Sequence, residues 1–450
     1  MLAMRERRAR GFRTEARSNM TRINSRAFHA ALAVTTLATC PYLWAQTRYQ
    51  VSTLPGLGGT ASQANSINQR SWVSGAANLE GDTISKAALW IGDSLISLGA
   101  LGGANANSAV AWPVKNDAGV IVGISDTDQD NPLGEAFSCW PFFASGAPTG
   151  KICNGFRWRD GALTPLPAFP GGYDSYATAA NNRGEIVGWA ENGVHDSTCV
   201  PTSQVLQFRA VIWEPWGEMK ELPPLPNTGD TTTAATAIND QGEVVGISGI
   251  CDVAVGRFSA RHAVLWEDGV PIDLGSLGGV AWNTPTAINN QGTVVGFSDL
   301  PGDSDGTANY QAFLWTRSTG MQKLPLLTGE TRSGAFGIND RGQVVGLSRT
   351  PNSAYHATMW HDGTVTDLNT VTQASAPYLI YANDINDRGE FAGEALDTNT
   401  GEAPAFVAVP AGRWDELPWA KSNGAVEPRK LPNKVRLQLY QKYGLDLGAN

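Results

Sequence analysis

The sequence predicts an all-β protein, a seven-bladed β-propeller of four-stranded blades that is closed by the N-terminal strand. Three observations lead to this fold class. One short stretch recurs seven times, two strand-like landmarks follow most of its copies, and the last repeat lacks the strand with which the pattern begins. A β-rich unit that recurs at intervals of 47 to 65 residues is typical of propellers.

The recurring stretch, Ala-Thr-Ala-Ile-Asn-Asp-Gln-Gly-Glu-Val-Val-Gly at residues 235–246, predicts a tight β-hairpin. Asn239 suits the first position of a type I turn because its side chain caps the backbone two residues later. Gly242 suits the left-handed conformation that closes such a hairpin with a bulge. Seven copies in register exclude chance, and they align on Asn68, Asn116, Asn181, Asn239, Asn289, Asn339 and Asn386.

Two landmarks follow the hairpin and complete a four-stranded blade. The first is an apolar strand ending in tryptophan, and the second is a short strand around a leucine. One tryptophan per repeat predicts packing between blades, with ligand stacking as the weaker interpretation. These tryptophans are Trp90, Trp158, Trp213, Trp266, Trp315 and Trp360.

The first and last parts of the repeat pattern complement each other. Residues 49–59 match the fourth strand of a repeat, whereas the seventh repeat stops after its third strand at residues 405–409. We therefore expect residues 49–57 to pair with residues 405–409, which would remove the open sheet edge. The propeller then spans residues 48–410.

Residues outside this span predict export. Residues 1–45 contain eight arginines and an apolar run at residues 28–39, so they are interpreted as a signal peptide, with Met20 as an alternative start. The expected location is therefore secreted or periplasmic; a lipoprotein anchored at Cys40 is the alternative. Residues 411–450 are interpreted as a C-terminal tail with a short helix at residues 435–443.

The net charge of the chain limits the classes of binding partner that we expect. Without residues 1–45 the chain carries 25 basic and 40 acidic residues, a net charge of −15. Binding to a phosphate backbone needs a basic surface, so no nucleic-acid partner is expected. The rest of the chain has no second long apolar segment, so no transmembrane segment is expected, and we expect a monomer without a cofactor.

Four cysteines remain after removal of the signal, and four cysteines allow three pairings. Cys139 and Cys153 lie in one inserted loop, and Cys199 and Cys251 lie in equivalent loops of adjacent blades. We predict the bridges Cys139–Cys153 and Cys199–Cys251, which an oxidising compartment permits.

The longest insertions between second and third strands predict where function lies. They occupy residues 124–154 and 189–209 of blades 2 and 3, and alternate connections of a meandering blade share one face. Long loops on a rigid scaffold concentrate function. We expect the ligand to be a glycan, a peptide or a protein. The candidate ligand-binding residues are Trp140, Phe142, Phe143, Trp189, Asp126, Asp128 and Asp130. The alternative role for the four aromatic residues is packing within the loops.

No motif identifies a catalytic or metal site. The chain lacks Gly-x-Ser-x-Gly, His-Glu-x-x-His and a P-loop. The acidic stretches at residues 126–131 and 299–306 resemble calcium loops without the full ligand set, so no metal site is predicted. Carboxylates are plentiful, but nothing selects a catalytic pair among them.

The motifs together resemble the secreted HAF-repeat proteins, which are named for a His-Ala-Phe triplet in the third strand. The triplet survives here as residues 262–264 and 356–358, with weaker copies at residues 86–88 and 311–313. The resemblance covers residues 48–410, and departures include Ser71 at the turn glycine of repeat 1. It implies no activity, and its histidines are expected to bond the backbone at a strand start.

These observations favour an exported, non-catalytic binding module or cell-surface interaction module. The alternative is a carbohydrate-active enzyme, a glycosidase or lyase, with carboxylates in the central funnel.

Overall fold

The structure, a computed structural model, describes residues 48–411 except 115, 138, 253–256, 304–308 and 353, together with the backbone of residues 429–430. The predicted signal peptide, residues 1–45, and the predicted C-terminal helix, residues 435–443, lie outside the described residues. Within the predicted C-terminal tail, Arg429 and Lys430 form a short strand that pairs with Tyr355 and Ala354 of the propeller.

Seven antiparallel sheets of four strands, one of them extended by the short Arg429–Lys430 strand, confirm the predicted β-propeller. The chain begins with β1 (Tyr49–Thr53). Blade 1 comprises β2 (Gly58–Ile67), β3 (Trp72–Leu79), β4 (Ser85–Ile91) and β5 (Ser94–Gly99). Blade 2 comprises β6 (Ser108–Ala109), β7 (Ile121–Asp130), β8 (Lys151–Arg159) and β9 (Ala162–Leu166). Blade 3 comprises β10 (Ser175–Ala180), β11 (Ile186–His195), β12 (Leu206–Trp213) and β13 (Met219–Leu222).

The remaining blades follow the same order. Blades 4 and 5 comprise β14 (Thr232–Ile238), β15 (Val244–Gly249), β16 (His262–Glu267) and β17 (Val270–Asp273); and β18 (Thr284–Ile288), β19 (Val294–Asp299), β20 (Tyr310–Thr316) and β21 (Gly320–Lys323). Blade 6 comprises β22 (Arg332–Ile338), β23 (Val344–Arg349), β24 (Ala354–His361) and β25 (Thr364–Asp367), with β29 (Arg429–Lys430) beside β24. Blade 7 comprises β26 (Tyr378–Ile385), β27 (Phe391–Leu396) and β28 (Ala405–Pro410) together with β1.

Helical structure among the described residues is confined to three 3₁₀ turns, Trp140–Phe142, Phe258–Ala260 and Leu368–Val371. In this part of the chain no helix has the length and apolar character needed to cross a membrane.

Six of the seven repeated hairpins have the predicted turn, in which the residue three positions after the asparagine donates its backbone N–H to the asparagine carbonyl. The Asn239 side-chain oxygen accepts hydrogen bonds from the backbone of Gln241 at 3.1 Å and Glu243 at 2.9 Å, and Gly242 has φ +86°. Gly246, at the end of the repeated stretch, must be glycine because a Cβ there would lie 2.0 Å from the Ala234 carbonyl oxygen. Ser71 replaces the turn glycine of blade 1 and adopts the same left-handed conformation, with φ 57°.

The polar residues of the repeat connect neighbouring blades. The side-chain amide of each aligned asparagine donates to the backbone carbonyl of the next one, over 2.5–3.2 Å, around all seven blades. Nearer the middle of the inner strands, Thr178, Thr236 and Thr286 each donate to the inner strand of the following blade. In blades 3 to 5 the Thr-x-x-Asn pattern therefore adds a second set of hydrogen bonds to the following blade.

The ring closes as predicted. β1 pairs antiparallel with β28, from Tyr49 opposite Pro410 to Thr53 opposite Phe406, and so supplies the fourth strand of blade 7. The Tyr49 ring packs edge-on against Phe391, with centroids 4.8 Å apart. The last sheet is therefore completed by residues from both ends of the propeller.

The recurring tryptophans pack between blades. Trp90, Trp266 and Trp360 are almost fully buried, as the core interpretation predicts. In four blades, the indole N–H of the tryptophan in the third strand donates to the backbone carbonyl of a proline that lies just after the fourth strand of the preceding blade. These pairs are Trp90–Pro55, Trp213–Pro167, Trp266–Pro223 and Trp360–Pro325, at 2.7–3.1 Å.

Candidate functional site

The long loops of blades 2, 3 and 4 form one connected structure, which we call the loop platform (residues 131–137, 139–150, 196–205, 250–252 and 257–261). Both predicted disulfides are present: Cys139–Cys153 within blade 2 and Cys199–Cys251 between blades 3 and 4, with Cα–Cα distances of 6.4 and 4.5 Å. The backbone of Ala136 also donates to Ser203 at 2.9 Å. The platform is therefore cross-linked both covalently and by hydrogen bonds.

Two of the four candidate aromatics lie in the interior. Trp189 is 1% exposed and stacks on Tyr176 with ring centroids 3.9 Å apart, and Phe143 is 2% exposed. Phe142 packs edge-on against Tyr176 and remains partly exposed, as does Trp140. Trp189, Phe143 and Phe142 belong to one hydrophobic cluster with all four cysteines, so much of the surface of these three rings is used to pack the loops.

The three candidate aspartates do not converge. All lie in β7, which extends further than the sequence pattern predicts, and Trp189 similarly lies in β11 and not in the following loop. Asp126 is buried and accepts hydrogen bonds from Asn107 at 3.1 Å and Thr149 at 3.0 Å; burial raises its pKa against these bonds. Asp128 and Asp130 are exposed, and Asp130 pairs with Lys151 at 2.6 Å.

Exposed apolar side chains accompany the loop platform. Four of the nine large apolar side chains that are exposed among the described residues belong to blades 2 and 3 near these loops: Leu133, Tyr173, Val194 and Val200. Three of the four, Tyr173, Val194 and Val200, are aromatic or β-branched.

Three buried carboxylates meet beneath the platform, and no sequence motif indicated them. Glu135 comes from the blade 2 loop, Asp174 from the residue before β10, and Glu191 from β11. One oxygen from each lies within 4.8 Å of the others, and the side chains are 4%, 1% and 0% exposed. Chain folding thus brings together acidic residues that are distant in sequence.

Backbone and amide groups hold these carboxylates in place. Glu135 Oε1 accepts from the backbone of Val205 and Leu206, both at 2.7 Å. Glu191 Oε2 accepts from the backbone of Tyr173 and Asp174, both at 3.0 Å. The two carboxylates are therefore each fixed by two consecutive backbone N–H groups, those of residues 205–206 for Glu135 and those of residues 173–174 for Glu191.

Asp174 and Gln204 complete the cluster. Asp174 accepts from the backbone of Cys153 and from the side chain of Asn131, both at 2.6 Å. The Gln204 amide donates to Glu191 Oε1 at 2.7 Å and to Glu135 Oε1 at 3.2 Å. Among the described residues, Gln204 Oε1 and Glu135 Oε2 are buried without a hydrogen-bond partner.

The electrostatics of the cluster reflect uncompensated charge. Burial, followed by the nearby Glu135 carboxylate, raises the pKa of Glu191 to about 7. Burial and the Glu191 carboxylate likewise hold the pKa of Asp174 well above its usual range. An all-oxygen set of this kind suits a proton shared between carboxylates or a hard cation such as calcium.

The histidines of the triplet bond carboxylates, which corrects the expectation of backbone bonds. His262 Nδ1 lies 2.8 Å from Asp230 Oδ2. His356 Nδ1 lies 3.0 Å from Asp367 Oδ2, and its Nε2 lies 3.4 Å from Glu330 Oε1. Both histidines therefore join the start of a third strand to neighbouring segments of the propeller.

The axial opening on the opposite face is bounded by a second closed ring. The residue after each aligned asparagine accepts the backbone N–H of its counterpart in the preceding blade. The residues of this ring are Gln69, Asp117, Asn182, Asp240, Asn290, Asp340 and Asp387. They surround a cavity of about 140 Å³. Four of the seven are aspartates, and each has one oxygen engaged in holding the turns together.

A larger cavity, of about 740 Å³, lies at the closure seam. It is bordered by β1, by residues 369–378 and by residues 397–399, and none of the predicted ligand-binding residues contributes to it. Gln373 in its wall already bonds both backbone groups of Val51, at 2.9 and 2.7 Å. We favour the loop platform as the candidate site because half of the residues that line this open cavity are serine, threonine or asparagine, and more of its surface is polar than apolar.

Comparisons with known proteins extend to the fold alone. No protein-family model matches the chain, and no curated protein matches it. Among solved structures, puromycin hydrolase is similar with TM-score 0.41 and 11% identity over 78% of this chain and 52% of that one, so the chain spans about half of that protein. AofleA from Arthrobotrys oligospora aligns with TM-score 0.35 and 9% identity over 71% and 85% of the two chains. A mutant Aleuria aurantia lectin aligns with TM-score 0.32 and 9% identity over 80% and 99%. Similarities at this level carry no argument about function.

Proposed function

We propose that this protein is an exported, non-catalytic binding module that takes a peptide or protein partner on its loop platform. The observation that carries the proposal is the cross-linking of three neighbouring loops by two disulfides beside exposed apolar side chains. Loops that are ordered in advance lose less entropy when a ligand binds. The platform thus has the rigidity that a recognition surface requires.

The type of exposed side chain supports a protein partner over a glycan. Leu133, Val194 and Val200 present aliphatic surface, which suits apolar contacts with a polypeptide. Sugar stacking needs an exposed flat ring, but Trp189 and Phe143 of the candidate set are buried. Trp140, Phe142 and Tyr173 retain partial exposure and add aromatic anchors to the same surface.

The disulfides also support export, because such bonds persist in oxidising compartments. The proposal therefore includes cleavage of residues 1–45 and a secreted or periplasmic location. It also includes membership of the HAF-repeat group, whose repeat pattern this chain resembles. Mass spectrometry of the mature protein tests the cleavage: an N-terminus that still precedes residue 45 would contradict it.

A carbohydrate-active enzyme has less support from the arrangement of carboxylates. A glycosidase needs two carboxyl groups that flank a substrate bond. The Glu135, Asp174 and Glu191 carboxylates are buried beneath loops, and the axial aspartates bond the backbone of neighbouring turns. Neither set presents the open pair that such chemistry requires.

Peptide and glycan arrays on the purified propeller provide the first test. Binding to peptides supports the proposal, whereas binding confined to glycans, or no binding on either array, contradicts it. With a peptide ligand from the array, the double variant Leu133→Asp/Val194→Asp should lose at least about tenfold in affinity, since burying a charge in an apolar contact is unfavourable.

The control variant is Val270→Asp. Val270 is 62% exposed and is the first residue of β17, next to the turn that follows β16 on the opposite face of the propeller. It should bind the peptide as the wild type does, with melting temperatures equal in all three proteins. An unchanged affinity in the double variant, or an equal loss in the control, would place the binding surface elsewhere.

A further inference from the structure

The buried carboxylate cluster has the composition and spacing of a cation site. Its three carboxylates offer oxygens within 4.8 Å of one another. Calcium binds oxygen ligands at about 2.3–2.6 Å, so two ligands on opposite sides of the ion are about 5 Å apart. One ion can therefore contact an oxygen from each of the three side chains.

Unsatisfied oxygens provide an independent indication of a ligand. Gln204 is 0% exposed, and its amide lies against both Glu135 and Glu191, yet its carbonyl oxygen has no hydrogen-bond partner among the described residues. Glu135 Oε2 is likewise buried and without a partner in this part of the chain. A buried oxygen in this state is costly, and coordination of a cation among the carboxylates would satisfy Glu135 Oε2. Gln204 presents its amide nitrogen to the cluster, so its oxygen reaches an ion only when the amide group turns over.

The charge of the cluster leads to the same conclusion. In the described part of the chain no lysine, arginine or histidine forms an ion pair with any of the three carboxylates. Buried charges in proteins are paired with an opposite charge or coordinate a metal. The carboxylates are also held by backbone hydrogen bonds, so their positions are fixed before an ion arrives.

We propose that Glu135, Asp174 and Glu191, together with the Gln204 side-chain oxygen, bind one calcium ion that ties the blade 2 and blade 3 loops to β11. The all-oxygen ligand set excludes the softer metals that prefer nitrogen or sulfur. The Gln204 amide would turn about its terminal bond so that its oxygen faces the ion, and its nitrogen would give up the hydrogen bonds that it donates to Glu135, Glu191 and Leu206. Calcium bound at this site would make the loop platform more rigid. The proposed calcium site does not depend on which partner the loop platform binds.

Calcium binding is measured by equilibrium dialysis and calorimetry, with the full chain first stripped of metal by EGTA. At calcium a hundredfold above its Kd, the melting temperature of the wild type should rise by about 3–4 °C. The isosteric variants Glu135→Gln and Asp174→Asn should each bind one calcium ion fewer per chain, and calcium should no longer raise their melting temperatures. The control Glu80→Gln, at an exposed position, should bind as much calcium as the wild type and show the same rise in melting temperature.

Two results would overturn the proposal. The first is an absence of calcium binding by the wild type, with a melting temperature that EGTA and calcium leave unchanged. The second is a stoichiometry that is the same in Glu135→Gln, Asp174→Asn and the wild type, which would assign any bound ion to another part of the chain. If the carboxylates only share protons, Glu135→Gln should melt higher than the metal-free wild type because one repelling charge is removed.

Discussion

Asn386 of blade 7 donates its side-chain amide to the backbone carbonyl of Asn68 in blade 1, at 3.0 Å. This bond spans the seam between the two ends of the propeller and repeats the bond that joins every other pair of adjacent blades. The same side chain caps its own turn, accepting from the backbone of Arg388 and Glu390 at 3.0 and 3.1 Å. One repeated residue thus shapes the hairpin and links it to its neighbour.

Replacing Asn386 by alanine should lower the free energy of unfolding by about 1–3 kcal/mol, because buried backbone groups would lose their partners. Urea denaturation of the metal-replete protein measures the change. Asn105→Ala, at an exposed position of the blade 1 to blade 2 connection, is the control and should be neutral. Equal stabilities of the two variants would show that the asparagine ring does not stabilise the fold.

Removing the closing strand should have a larger effect than any single substitution. A chain without residues 46–58 leaves the edge of β28 unpaired and exposes the apolar surface that Val51 and Tyr49 cover. We expect it to lack a cooperative unfolding transition in circular dichroism. A sharp transition with an unchanged denaturant dependence would mean that blade 7 is stable with three strands.

The repeat explains why the fold could be predicted from the sequence. Seven copies of one hairpin defined the blade, and the split last repeat indicated closure by β1 before any contact was known. The bonds between blades were not predictable, because a turn motif such as Asn239-Asp240-Gln241-Gly242 specifies its own backbone and not what lies beside it. The unequal strand lengths of β7 and β11 also escaped prediction, since their second halves carry the polar residues that are typical of loops.

The two disulfides should contribute unequally to stability. In the chain-entropy account, the short loop closed by Cys139–Cys153 gives about 3 kcal/mol and the longer loop closed by Cys199–Cys251 about 4 kcal/mol. Paired serine variants of each bridge, unfolded in urea, should follow that order. The reverse order would show that interactions in the folded loops outweigh the entropy of the unfolded chain.

The His262–Asp230 pair should make stability depend on pH. The hydrogen bond that the His262 ring donates to Asp230 raises the pKa of His262 against burial, so the stabilisation by this pair is complete below the ordinary pKa of 6.5 and is lost as pH rises through the raised pKa. Burial raises the pKa of Asp230, but hydrogen bonds from His262 and Ser248 lower it overall from 3.8. The aspartate contribution is therefore lost as pH falls through that lowered value.

The stability difference between the wild type and His262→Gln should consequently be greatest between pH 3.8 and 6.5 and should shrink above this window. Denaturation curves at a series of pH values measure the difference. His195→Gln, at an exposed position, controls for the substitution itself. A difference that stays constant across the window would show that the pair does not couple proton binding to folding.

The candidate site was only partly predictable. The insertions and their cysteines located the loop platform, but residue type alone could not separate the buried Trp189 from the partly exposed Trp140. Glu135, Asp174 and Glu191 belong to different segments, and no spacing rule connects them. One signal was available: the third residue after the glycine that ends each hairpin is buried and polar in five repeats, as Asn78, Asp126, Glu191, Asp299 and Arg349.

Trp189 should act on stability because its indole ring is stacked on Tyr176 within the cluster that holds the cysteines. Replacing it by alanine should cost about 3–5 kcal/mol, as for other large buried aromatics. Trp216 is 71% exposed at the turn between β12 and β13, and Trp216→Ala should change stability by less than about 0.5 kcal/mol. Calorimetry of both variants, with calcium present and disulfides intact, compares them directly. If Trp189→Ala retained the wild-type stability, the ring would not be a structural element of the platform, and a direct contact with ligand would become the better account of this residue.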